Sequence, residues 1–135
     1  MLLFGATVAS ASNIQGEVLY YVNERRTNIG LPPVFLDVEA SIGASVRAKE
    51  AQIDFAHLRP DGRQVKTVLQ SNHSWFGENL AISEHSNAKK IVQSWMMSPL
   101  HRANILNKNF RRMGVECKKN KKDGLYYWAL LFTGD

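Results

Sequence analysis

The run from Leu125 to Thr133 is apolar on both of the faces that a strand would present. Alternate side chains of an extended chain point to opposite sides. Tyr126, Trp128, Leu130 and Phe132 therefore form one row, and Leu125, Tyr127, Ala129 and Leu131 the other. A strand that is apolar on both faces must be covered on both. Helical periodicity dominates the rest of the chain, so the expected cover is helical. The fold class that follows is α+β, a three-layer α-β-α sandwich around a small antiparallel sheet. A basic turn closed by Asp123-Gly124 pairs this strand with Arg112 to Lys118, and Phe76 to Ser83 supplies a third strand.

Four helices are predicted. The first gathers Ile14, Val18, Tyr21, Val22, Arg25 and Ile29 on one face behind Asn13 as cap, and it ends at Gly30 before Pro32-Pro33. The second starts at Asp37 as N-cap and runs towards Phe55. Its expected buried stripe is Val38, Ile42, Val46, Lys49 and Ile53, widened by Ala48, Ala51 and Phe55. The third, Asn87 to about Met97, has the cleanest pattern, with Ala88, Ile91, Val92, Trp95 and Met96 on one side. Ser98-Pro99 then reads as an N-cap and first-turn proline that open a short helix carrying His101, Ile105 and Leu106.

A chain of 135 residues can bury one core and is too short for two. Residues 13–135 are therefore expected to form a single domain and a monomer. Residues 1–12 leave two alternatives open: the remnant of an export signal ending in the small-x-small pattern Ala9-Ser10-Ala11, or an N-terminal arm. No stretch is long enough to form a transmembrane segment. The 17 Lys and Arg against 12 Asp and Glu give a net charge of +5, which favours weak contact with anionic cell-surface polymers. The basic residues cluster in a solvated turn, Lys118 to Lys122, without stacking aromatics or a reader motif, so nucleic acid is not an expected partner. The single cysteine, Cys117, excludes an internal disulfide and a thiolate zinc site, and its alternating apolar neighbours read it as a small buried hydrophobe.

Glu78 falls in the apolar row Phe76, Glu78, Leu80 and Ile82, where a carboxylate needs either a partner or a water-filled cleft. His57 and His101 sit at element junctions, whereas His73 and His85 read as ordinary loop residues. Two histidines and one glutamate so far apart in sequence match no short-range ligand spacing, and taken alone they leave the function open.

Five segments then carry a resemblance: Val22-Asn23-Glu24-Arg25-Arg26 through Pro33; His57-Leu58-Arg59-Pro60-Asp61-Gly62; Gly77-Glu78-Asn79-Leu80-Ala81; Trp95 through Leu106; and Gly114-Val115 followed by Tyr127-Trp128. In order and spacing they resemble the bacterial branch of the CAP, or SCP, domain family of cysteine-rich secretory, antigen 5 and pathogenesis-related proteins, over about Ile14 to Phe132. The resemblance implies a secreted or cell-surface protein with a central cleft lined by His57, Glu78 and His101, with Asn79, Ser98, Trp75 and Arg102 as neighbours. In many family members the cleft can hold a divalent ion such as Zn²⁺. Where animal and plant members carry a second glutamate, three residues after the tryptophan of the third helix, this chain has Ser98, which cannot serve as an anionic ligand. The implied function is a non-enzymatic module binding a small molecule, lipid or peptide in the cleft. Two alternatives stand beside it: a Zn-dependent hydrolase using His57, His101 and Glu78, and a purely structural hydrogen-bond network.

Overall fold

The computed structural model describes residues 13–135, and the two alternatives for residues 1–12 lie outside them. Four α-helices, α1 (Asn13–Asn28), α2 (Val38–Ala51), α3 (Ala88–Met96) and α4 (Pro99–Ile105), pack on a sheet of four strands. The strands are β1 (Phe35–Leu36), β2 (Trp75–Ser83), β3 (Arg112–Lys119) and β4 (Tyr126–Gly134), in the order β1-β3-β4-β2. The three long strands are antiparallel as expected. The two-residue β1 adds a parallel partner to β3, which makes the sheet mixed.

Strand β4 is covered on both faces. Trp128, Leu130 and Phe132 enter a core with Val18 and Val22 of α1, Ile91, Val92 and Trp95 of α3 and Ile105 of α4. On the opposite face Tyr127 and Ala129 meet Ala48 and Ala51 of α2, and Leu131 meets Ala44 and Val65. The α-β-α layering thus follows directly from the two apolar rows of one strand. At the hairpin turn Gly124 takes a positive φ of 72°, and the Tyr127 hydroxyl donates to Asp123 at 2.6 Å.

Helix α2 departs from the sequence expectation in two ways. It ends at Ala51, with Phe55 in the loop beyond, and it buries a different face. Ala40, Gly43, Ala44, Arg47, Ala48 and Ala51 point inward, while Val38 is 76% and Ile42 61% exposed and Ile53 also faces solvent. Distance is the reason. A Cβ placed on Gly114 of β3 would lie 2.1 Å from the backbone of Ala40, and one on Gly43 would lie 3.0 Å from Leu131. The helix lies so close to the sheet that only small side chains fit between them, and the branched residues are turned outward.

Helix α1 shows a similar shift. Val18 and Val22 are buried as expected, Ile29 is exposed, and the fully buried cation is Arg26 rather than Arg25. The Arg26 guanidinium donates to the carbonyls of Pro32, Ile105, Asn107 and Phe110 at 2.8 to 3.2 Å. It is thereby solvated by backbone dipoles, and it ties the α1 exit to the segment after α4.

Candidate functional site

The site is built around β2, an edge strand. An open strand edge normally exposes unpaired carbonyls. Here Asn104 of α4 donates to the Glu78 carbonyl at 3.2 Å and Trp95 Nε1 of α3 donates to that of Leu80 at 3.1 Å. Side chains of α3 and α4 thus satisfy these two carbonyls of the edge. Gly77 leaves the room this needs, since a Cβ there would lie 2.9 Å from Asn104 Oδ1 and 2.7 Å from the Phe110 ring.

Glu78 faces α2. Its Oε2 accepts from Arg47 Nε at 2.6 Å, and its Oε1 accepts from Arg47 Nη2 at 3.2 Å and lies 2.9 Å from His57 Nδ1. Arg47 is itself fully buried, and it also donates to Glu50 at 2.9 Å and to the Ala56 carbonyl at 2.6 Å. Burial alone would lower the Arg47 pKa; the hydrogen bonds to Glu78 and Glu50 outweigh that and raise it. The partner that Glu78 requires in an apolar row is therefore a guanidinium from the facing helix.

The His57 side chain is 65% exposed while the carboxylate behind it is 3% exposed. Two adjoining cavities, of about 290 and 260 Å³, share His57, Val65 and Phe76 and are completed by Gly77 and Glu78 on one side and Leu58, Gln64 and Lys66 on the other. A third cavity of about 320 Å³ continues past Lys66 and Phe76 to Leu69, Ser71, Asn72 and His73. Together they make a shallow groove over the 3-10 turn Val65–Val68.

His101 lies in α4, and Asn79 Nδ2 donates to its carbonyl at 3.0 Å. Burial, followed by the proximity of His57, pushes the His101 pKa below the usual imidazole range. Ser98 occupies the N-cap position of α4, but its side chain makes no capping hydrogen bond. Trp75, at the start of β2, is 44% exposed and lines none of the cavities around His57. Arg102 points to solvent and donates to the Met96 carbonyl at 3.2 Å, closing the end of α3.

As a direct metal ligand, Glu78 would have to release Arg47 or His57. Among the described residues no group of three or more His, Cys, Asp or Glu is placed to hold a metal ion. The donor set left for a divalent ion is two imidazoles.

Sequence reasoning missed Arg47, Glu50 and Arg59. Arg47 and Glu50 were hidden by the expected orientation of α2. One signal could have found Arg47, namely an arginine on a helix face otherwise made of alanine and glycine, where only a partnered charge can be buried. His73 was also missed. It is 10% exposed, 2.8 Å from Glu39 and 3.2 Å from Asp135. Cys117 is partly buried against the core, and burial, with a smaller contribution from Glu116, pushes its pKa up to about 12, which disfavours the thiolate.

The sequence profile of the cysteine-rich secretory protein family, CAP, matches residues 19–132. The Bacillus subtilis protein YkwD, described as uncharacterized, is 31% identical over 114 residues, which is 79% of this chain and 43% of that protein. The crystal structure of an extracellular protein containing an SCP domain from Bacillus anthracis has a TM-score of 0.75 at 25% identity, covering 90% of this chain and 40% of the other. An outer surface protein of Borrelia burgdorferi has a TM-score of 0.75 at 19% identity, covering 87% of this chain and 89% of its own. The chain spans less than half the length of the two Bacillus proteins.

Proposed function

The chain belongs to the cysteine-rich secretory protein (CAP) family, and from that premise we propose that it is a secreted or cell-surface binding module that works through the groove beside His57. One observation carries the reading: an exposed imidazole stands over a buried carboxylate whose oxygens are already engaged by Arg47. Such a histidine is held in place from behind and keeps one ring nitrogen, Nε2, for a ligand. Phe76, Val65 and Leu58 give the groove an apolar wall, and Gln64 and Lys66 add polar groups along it, the mixture common in small-molecule and peptide sites. No helix among the described residues is long and apolar enough to cross a membrane. The net charge of +5 supports weak, salt-sensitive contact with anionic cell-surface polymers.

A divalent ion is a second reading, favoured by the carboxylate behind His57, because metal-bound imidazoles commonly donate their other N–H to such a group. In this reading His57 and His101 are the ligands and Glu78 orients His57 without touching the ion. Two imidazoles are one fewer than the three protein ligands that an open zinc site keeps, so an ion held by them and water would be bound weakly.

Calorimetric titration of metal-stripped protein with Zn²⁺, Ca²⁺ and Mg²⁺, repeated on His57→Ala and His101→Ala, separates the two readings. Stoichiometric Zn²⁺ binding lost in both variants supports the ion. If folded wild-type protein binds no metal, the groove stands as a site for organic ligands. Amide shift changes at Gly77, Val65 and Lys66 on adding short peptides or lysophospholipid are then expected, and their absence with every such probe would overturn the binding-module reading.

A further inference from the structure

The groove histidine is the end of an ion chain that runs inward through the domain. Arg59 donates to both oxygens of Glu50, through Nε at 3.2 and 3.0 Å and through Nη2 at 2.8 Å, and its Nη1 reaches Thr67 at 3.1 Å. Glu50 accepts from Arg47, Arg47 forks onto Glu78, and Glu78 meets His57 Nδ1. The signs alternate along the chain, and Arg47, at its centre, has no exposed side-chain surface. Arg47 also holds the carbonyl of Ala56, the residue before His57, so it fixes the backbone that delivers the histidine as well as the carboxylate that receives its ring.

This arrangement dictates where the ring proton sits. Arginine only donates, so a carboxylate facing its fork accepts. The remaining lone pairs of Glu78 Oε1 therefore meet an N–H at His57 Nδ1, and in the neutral ring Nε2 is left without a proton. We infer that Arg47, Glu50 and Arg59 are positioning residues that lock His57 as its Nδ1–H tautomer, so that Nε2 faces the groove as an acceptor and selects a ligand bringing an N–H, an O–H or a cation in preference to an anionic group. The ligand clause rests on the binding reading above, whereas the tautomer clause does not depend on any ligand.

Long-range ¹H–¹⁵N correlation spectra of the imidazoles at pH 8, where an ordinary histidine is neutral, test the inference on the free protein. Wild-type His57 is expected to show a single Nδ1–H tautomer. In Glu78→Gln the amide oxygen turns to the Arg47 fork and the amide NH₂ faces His57, so the tautomer is expected to switch to Nε2–H. Arg47→Met leaves the buried Glu78 carboxylate with His57 and no guanidinium, and can fail to fold. Arg47→Lys keeps the charge and loses the fork, and with amide dispersion preserved it is expected to turn the single tautomer into a mixture. An Nε2–H tautomer in the wild type, no switch in Glu78→Gln, or an unchanged single tautomer in Arg47→Lys would each overturn the positioning role. Inorganic phosphate is expected to leave the His57 Nε2 resonance in place, and a saturable shift there would overturn the ligand preference alone. Because the tautomer is read without ligand, a failure of the binding reading leaves this result standing.

Discussion

Glu78 and Asn79 are neighbours in β2 whose side chains leave the sheet on opposite faces, Glu78 towards Arg47 of α2 and Asn79 towards the His101 carbonyl of α4. A strand of period 2 thereby connects the two histidines from adjacent positions, one through a carboxylate in one layer and the other through an amide in the opposite layer.

The Asn79 amide is fully buried; it donates to His101 and accepts from Asn104 at 2.8 Å. Asn79→Ala removes both bonds and leaves the half-buried His101 carbonyl and Asn104 amide without this partner, which should cost about 1 kcal/mol or more. Urea denaturation will give the loss. If α4 depends on this link, the amide resonances of residues 100–105 will shift more than those of α1.

The Arg47–Glu78 pair separates the effect of breaking an ion pair from that of replacing it. Glu78→Ala removes one of the two carboxylates on the buried Arg47 guanidinium, leaving Glu50 and the Ala56 carbonyl. The loss is therefore expected near the lower end of the about 3–5 kcal/mol of a broken buried pair, whereas replacing both partners by apolar groups of similar volume is often close to neutral. Arg47→Met with Glu78→Leu is therefore expected to melt well above Glu78→Ala alone. Calorimetric melting temperatures decide this, and a double variant no more stable than the single one would mean that the pair's other bonds, to Glu50 and Ala56, dominate.

His73 sets a pH window for stability. Its hydrogen bond to Glu39, and after that its contact with Asp135, raise its pKa against the opposing effects of burial and of Arg112. The reciprocal bond to His73, helped by Ser71 and Gln70, lowers Glu39 to about 2. A raised histidine stabilises the fold below its unfolded value and loses that contribution as pH rises through the folded one; a lowered glutamate does the reverse on the acid side. The clamp is thus complete above the ordinary value of Glu39, 4.5, and below that of His73, 6.5. His73→Gln should flatten the alkaline decline of melting temperature just above that range. An unchanged decline would show that another group governs it.

Glycine positions test the close approach of α2. Gly114→Ala drives a Cβ to 2.1 Å from the Ala40 backbone, where nothing flexible can give way, and a loss above about 4 kcal/mol is expected. Gly16→Ala in α1 meets nothing within 4 Å, so the gain in helix propensity, about 0.5–1 kcal/mol, should appear as added stability. Chemical denaturation of the two variants, side by side, checks both signs.

The layering, the order of the four helices and three long strands, the Asp37 cap of α2 and the resemblance around His57, Glu78 and His101 are all carried by local pattern, because period and turn chemistry act over a few residues; the two-residue β1 is too short to leave one. The double apolar row from Leu125 to Thr133 was enough to require a layer of helix on each side. The rotation of α2 was not legible, since its outward stripe of Val38 and Ile42 is as apolar as its inward one of alanines. Only the approach of Gly114 and Gly43 decides which face the sheet accepts. The same holds at the site. The sequence named the two histidines and the glutamate, but the partners of Glu78 come from residue 47 of a helix and residue 57 of a loop, which are brought together only when α2 packs on β4. What Glu78 does there, orienting His57 from beneath a guanidinium, follows from that packing, because the free energy of a buried carboxylate is set by the groups that surround it in space.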